Sequence, residues 1–207
     1  MSAESFLFIG RSGCGKGTQA KLLRDFIEAH DQEKLPMFYL ETGQGFRNFI
    51  EKSGYTNGLA KKIADIGGHQ PDFLAIWMWS HELVAGLTGR EHLVIDGTPR
   101  SLSEAHIVDT MFQFYGFEQP FIIHLNVSRK WSEKHLLSRG RADDSTDDIK
   151  RRLDWFESDV APAIEYFKNN PRYRFIEVDG EQPIEAVHAD SMKHIEPIFF
   201  SRESHKN

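Results

Sequence analysis

The run Gly10-Arg11-Ser12-Gly13-Cys14-Gly15-Lys16-Gly17-Thr18 gathers the residue types that hold a polyphosphate. Glycines permit the tight backbone turns that aim successive N–H groups at one point. The loop follows the apolar run Phe6–Ile9 and precedes a helical stretch, so the positive end of a helix would face the same point. Lys16 supplies a full charge for the β- and γ-phosphates. Thr18, or the phosphates themselves, would help to hold Mg²⁺. Cys14 belongs to the loop through its backbone. No histidine is adjacent in sequence to activate it, so its side chain reads as a small filler turned away from the phosphate. A glycine-rich turn without a ligand would leave the register of strand, lysine, threonine and helix as coincidence.

A second group follows the apolar run Leu93–Ile95: Asp96-Gly97-Thr98-Pro99-Arg100. A carboxylate at the carboxyl end of a central strand sits where open α/β sheets bind their ligands. Asp96 would orient Mg²⁺ through water, because that ion keeps several waters. Arg100 would reach a phosphate, which its planar fork suits. The plain alternative is a turn with a capping aspartate. Further on, Arg139-Gly140-Arg141-Ala142-Asp143-Asp144 and Lys150-Arg151-Arg152-Leu153 concentrate charge. A solvated charged face is the ordinary meaning of such runs, and Arg151 is assigned to it.

The elements that must position these groups alternate between short apolar runs and longer helical stretches. The candidate strands are Phe6–Ile9, Met37–Leu40, Leu93–Ile95, Phe121–Val127 and Tyr173–Val178. Continuous apolar runs suit strands buried on both faces, and the alternation implies βαβ units. The fold class is therefore α/β, a parallel five-stranded sheet flanked by helices in one domain, 1–207. Ala20, Leu23 and Ile27 recur at helical spacing after the loop. The stretch 42–88 looks helical, has no strand of its own and is too long for a plain crossover, so it reads as a helical insertion. A long helix is expected from near Ser145, where Ser145 and Asp148 are spaced as a capping box, to about Phe167, before Asn169-Asn170-Pro171.

Composition bounds the function. A net charge of −6 argues against a general nucleic-acid binder. A local basic cleft for a phosphorylated small molecule is compatible with it. One cysteine permits no intramolecular disulfide and no cysteine-rich zinc site, and fits a reducing compartment. The apolar run near the start is four residues, and no other approaches the ~20 that span a bilayer. A cytoplasmic protein without membrane or nucleic-acid partners is expected.

The spelling Gly-x-x-Gly-x-Gly-Lys-Gly-Thr-Gln resembles the nucleoside monophosphate kinases, and adenylate kinases in particular. The likeness runs from Phe6 to about Gly180. It implies a P-loop fold in which ATP meets Gly13, Cys14, Gly15, Lys16, Gly17, Thr18, Arg139 and Gly180. Thr42-Gly43-x-x-x-Arg47 resembles the acceptor motif, with the threonine near the base and the arginine on the monophosphate. Asp96-Gly97-Thr98-Pro99-Arg100 resembles the family's Asp-Gly-Phe-Pro-Arg. Arg139, Arg141 and Arg152 match two lid arginines and a third on the following helix. The resemblance thus implies an AMP site of Thr42, Gly43, Arg47, Gly97, Arg100, Glu104, Arg141 and Arg152. It also implies a catalytic set of Lys16, Arg100, Arg139, Arg141 and Arg152, with Mg²⁺ near Asp96 and Thr18. Transfer between two nucleotides needs such charge, because their phosphates repel and must be held in line. The acceptor phosphate is already ionised, so none of the ten histidines is nominated as a base.

The departures are specific. One residue, Gly140, separates Arg139 from Arg141, so the lid, 138–146, is abbreviated. Lids exclude water, so another element, such as a neighbouring subunit, should compensate. Monomer and small homo-oligomer both stay open; the aromatic residues (12%) would supply an interface, but core is their plainer and favoured reading. Gln44 and Gly45 follow Thr42-Gly43, and Gly67-Gly68-His69-Gln70-Pro71-Asp72 stands for Gly-x-Leu-Val-Pro-Asp. Thr98 stands for the usual phenylalanine. Glu104 takes the place of a glutamine that reads the adenine edge. An ionised glutamate only accepts, which suits the N1–H and 2-amino group of guanine. Reversible transfer from ATP to AMP, giving two ADP, leads. A guanine-preferring or broad kinase is the alternative, and a small-metabolite kinase or a nucleotide sensor lies further off.

Overall fold

The computed structural model describes residues 3–140 and 145–200. Five strands, β1 (Ser5–Ile9), β2 (Met37–Glu41), β3 (His92–Asp96), β4 (Phe121–Asn126) and β5 (Arg174–Asp179), form one sheet in the order β2-β3-β1-β4-β5. Every pairing is parallel, with Phe6 opposite Val94 on one side and Phe121 on the other. Each expected strand is present within a residue or so of its expected ends. Successive side chains of β1 leave the sheet on opposite faces. Leu7 and Ile9 join one core with Leu40, Leu93, Ile95 and Ile122. Phe6 and Phe8 join the other with Val94, Phe121, Ile123 and Leu125. Burial of both faces is why these strands read as unbroken apolar runs.

Helix α1 (Lys16–His30) returns the chain from β1 and buries Ala20, Leu23 and Ile27, the periodic residues of the sequence. The stretch after β2 is three helices, α2 (Thr42–Ile50), α3 (Tyr55–Ala64) and α4 (Asp72–Gly86), with no strand among them. Then follow α5 (Leu102–Phe114) and α6 (Arg129–Arg139). The long helix expected from Ser145 is α7 (Thr146–Trp155), a π-helical turn over Phe156–Val160, and α8 (Ala161–Lys168). Ser145 Oγ accepts from the Asp148 N–H at 3.2 Å, which supplies the cap. The π turn was not legible in the sequence. It carries Phe156 and Val160 into the core beneath the site. Helix α9 (Ile184–Phe200) closes the second core, stacking on α1.

The chain leaves β1 toward the β2 edge and later crosses from β3 to β4. The sheet therefore reverses winding at β1, and the carboxyl ends of β1, β3 and β4 open a crevice there.

Candidate active site

One cleft of 1690 Å³ lies over that crevice. Its floor is the loop between β1 and α1, with Gly13, Cys14, Gly15, Lys16, Gly17 and Thr18 all lining it. The Lys16 ammonium spans the loop's mouth, donating to Gly10 O at 2.8 Å and Arg11 O at 3.0 Å. It thereby holds the carbonyls that an anion would otherwise repel. Cys14 is buried in the second core, and burial pushes its thiol above the usual range. That agrees with a filler side chain. Gly180 sits against the loop, where a β-carbon would meet Val127 Cγ1 at 2.7 Å.

Asp96 ends β3 beside the loop. A β-carbon on Gly17 would lie 3.3 Å from Asp96 Oδ2, so the residue after Lys16 is one that lets the carboxylate come close. Tyr39 directs its hydroxyl at the same oxygen at 3.4 Å, and burial and the charges of Asp96 and Glu41 hold the Tyr39 phenol well above its ordinary range. Arg24 stacks over the Tyr39 ring at 3.9 Å. Arg24 also lines the cleft and was not singled out in the sequence, because only packing brings α1 against β2.

The acceptor side is built of side chains. Arg47 and Arg100 converge over Gly43. A β-carbon there would lie 3.5 Å from Arg47 Nη1 and 3.7 Å from Arg100 Nη2. Arg47 is held by Gln44 Oε1 at 2.8 Å and Glu41 at 3.3 Å, and Arg100 by Gly97 O at 2.7 Å. Burial lowers the Arg100 pKa, Glu104 and Asp96 oppose this, and Arg47 and Arg152 add to the lowering. Such a concentration of like charge fits an anion site. Arg152, on α7, lines the same cleft, as do Arg139, at the end of α6, and Gly97. Arg141 and the pair Asp143-Asp144 lie outside the described residues.

Two expected residues do not face the cleft. Thr42 opens α2 buried, with its hydroxyl turned to Asp96 O at 3.4 Å. Glu104, expected at the acceptor base, points inward. Its carboxylate lies 2% exposed inside the fold, accepting from Trp79 Nε1 at 2.9 Å, from the Thr98 hydroxyl and from the Arg100 N–H. It holds the turn that carries Arg100 and does not line the cleft. Thr98, in place of a phenylalanine, supplies one of these donors.

Across the cleft the loop between α3 and α4 meets α7. The His69 ring stacks on Trp155 at 4.8 Å, its Nδ1 lies 3.4 Å from Asp159 Oδ2, and a β-carbon on Gly67 would lie 2.8 Å from Asp148 Cα. This clasp was not visible in the sequence, where His69 and Trp155 are 86 positions apart.

The family model described as adenylate kinase matches residues 8–172. The chain belongs to the adenylate kinase family. Among its relatives, adenylate kinase 1 of Synechocystis is 29% identical over 94% of this chain and 98% of its own length. The adenylate kinase of Prochlorococcus marinus is 31% identical over 86% and 92%, and that of Corynebacterium glutamicum 29% identical over 90% and 96%. As an adenylate kinase family member the protein is a nucleotide-binding phosphotransferase of the nucleoside monophosphate kinase type. Among the described residues no helix is long and apolar enough to cross a membrane.

Proposed function

We propose that the protein transfers the γ-phosphoryl group of ATP to AMP, reversibly, giving two ADP. The observation that carries this reading is the convergence of Arg47, Arg100 and Arg152 with Lys16 and Asp96 in one cleft over the sheet's reversal point. Two polyanions must meet for the reaction, and this cleft has cationic side chains at both ends.

In this reading the donor phosphates occupy the loop from Gly13 to Thr18, and Lys16 exchanges the Gly10 and Arg11 carbonyls for β- and γ-oxygens. The donor base lies toward Gly180. Arg47 and Arg100 hold the acceptor phosphate by bidentate hydrogen bonds over Gly43. Arg139, Arg152 and, with the short lid 138–146, Arg141 balance charge that builds on the transferring group. Thr42, behind Gly43, fixes the start of α2. The attacking phosphate oxygen is already ionised, so the residues orient and neutralise and no side chain removes a proton.

Among the described residues no cluster of three or more acidic, histidine or cysteine side chains could hold a metal directly. The Asp96 carboxylate lies beside the loop, and Thr18 is exposed to the cleft. That set fits Mg²⁺, which keeps most of its waters and binds substrate phosphates. When bound it neutralises charge between the β- and γ-phosphates. Asp96 would hold its waters, and Tyr39 would orient Asp96. The single, buried cysteine supports a reducing, cytoplasmic setting.

The guanine alternative rested on a carboxylate from Glu104 facing the base, and its turn inward supports AMP. The test is a coupled assay with Mg·ATP and each nucleoside monophosphate in turn, with an ATP-only control. AMP should lead. Turnover led by GMP, or none with any monophosphate, would overturn the reading.

A further inference from the structure

The phosphate loop carries a second full positive charge, Arg11, that no step of the transfer uses. We infer that Arg11 is a positioning residue for Arg152: through the π turn at Phe156–Val160 it fixes the helix that bears Arg152 against the loop. The inference rests on the phosphoryl-transfer reading above and deepens it.

Gly10 and Ser12 line the cleft, but the Arg11 side chain leaves it for the π turn. Its Nη1 donates to Val127 O at 3.0 Å, just after β4. Its Nη2 donates to the Glu157 carboxylate, and its guanidinium carbon lies 4.3 Å from the centre of the Phe156 ring. A planar fork donates along two edges and stacks by its face at once, which an ammonium cannot do. The Arg11 side chain is 16% exposed, so these contacts are made largely out of water. Two of its three partners are consecutive residues of the π turn. Such turns recur at functional sites inside helices. This one follows α7 directly, and Phe156 stands four residues, about one helical turn, after Arg152. Arg152 and Phe156 both line the cleft. The same segment is met by the acceptor insertion, where His69 reaches Trp155 and Asp159. Glu157 is half-exposed, so its ion pair adds little to stability. What the three contacts fix is position. Arg152 must meet charge on a phosphoryl group whose place the loop sets, and a shift of about 1 Å in such a group can cost about 100-fold in rate.

The experiment is a double-mutant cycle on kcat at saturating Mg·ATP and AMP. Arg11→Met keeps a chain to pack on Phe156 and loses both donors. It should lower kcat by about tenfold, with KM for ATP within about twofold of wild type. Arg152→Met should lower kcat by about 100-fold. If Arg11 acts through Arg152, the double variant should match Arg152→Met alone. Losses that multiply, to about 1000-fold in the double variant, would show that Arg11 shapes the loop itself and would overturn the inference. An unchanged kcat in Arg11→Met, or a loss confined to KM for ATP, would overturn it too. Should Arg11→Met fail to fold, Glu157→Gln removes only the half-exposed carboxylate charge. It should lower kcat by about threefold, and that loss should vanish in the Arg152→Met background. No loss, or a loss that multiplies, would again overturn the inference. Turnover led by another monophosphate would overturn the AMP reading alone, and the same cycle is then run with that acceptor. No turnover by wild type with any monophosphate would sink the transfer reading and this inference with it.

Discussion

The two ends of the cleft are made in different ways. At the donor end the lining is one glycine-rich loop, with Gly13 and Gly15 at positive φ and a single lysine across the mouth. At the acceptor end the polar groups are long side chains from β2, α2, the turn after β3, and α7, each held by a partner of its own. A main-chain site depends on consecutive residues and survives as a unit. A side-chain site depends on packing between segments far apart, so a single swap can turn a reader into a strut. Glu104 is placed as such a strut would be, held by Trp79 from 25 residues away.

This contrast is open to direct challenge. The largest effect should come from the donor end. Lys16→Met removes the ammonium that spans the mouth of the loop and should lower kcat by about 10³-fold, with the fold intact by circular dichroism. Retention of most activity would mean that the backbone alone carries the donor site. Next, Arg100→Ala should raise KM for AMP by about 100-fold, the scale of a charge-assisted hydrogen bond lost. KM for ATP should hardly move. Equal damage to both would show that the two ends do not act separately.

Glu104→Gln sharpens the comparison, because it restores the glutamine of the resembled motif. If Glu104 is a strut, base ranking stays the same. The amide NH₂ would then confront a donor, either the Arg100 N–H or the Trp79 and Thr98 pair. Stability should fall by about 1–3 kcal/mol, visible as a lower Tm at roughly 2–4 °C per kcal/mol for a chain of this size. A changed base ranking with unchanged Tm would put Glu104 back at the base.

The same contrast explains what could be read from residue order. Strands such as β1 and β3 were legible because burial on both faces demands an unbroken apolar run. The loop at Gly13–Thr18 and the charges at Asp96 and Arg100 were legible because each is encoded in one short stretch. The orientation of Glu104, the bridge from Arg11 to Glu157, the stack of Arg24 on Tyr39 and the π turn after Trp155 were not. Each is decided by a neighbour that only the packed fold supplies.

The smallest effect concerns the clasp between the α3–α4 loop and α7, where His69 stacks on Trp155. Burial holds His69 below the usual histidine range, and the Arg100 charge adds to this against the opposing pull of Asp159. Burial also lowers His124 and His188. Below about pH 6.5 the unfolded chain takes up protons at these rings that the folded chain refuses. Stability should therefore fall as pH drops through that value and level off once the folded histidines protonate. Each ring contributes at most one proton, a slope of no more than about 1.4 kcal/mol per pH unit. His69→Asn should flatten the slope in urea unfolding at pH 5–6.5 by at most that share. It should also loosen the clasp, so ADP formed from ATP without AMP should rise a few-fold at pH 7.5, where ring protonation plays no part. A flatter slope with an unchanged ATP-only rate would make His69 a packing residue and leave the exclusion of water to the segment after Arg139.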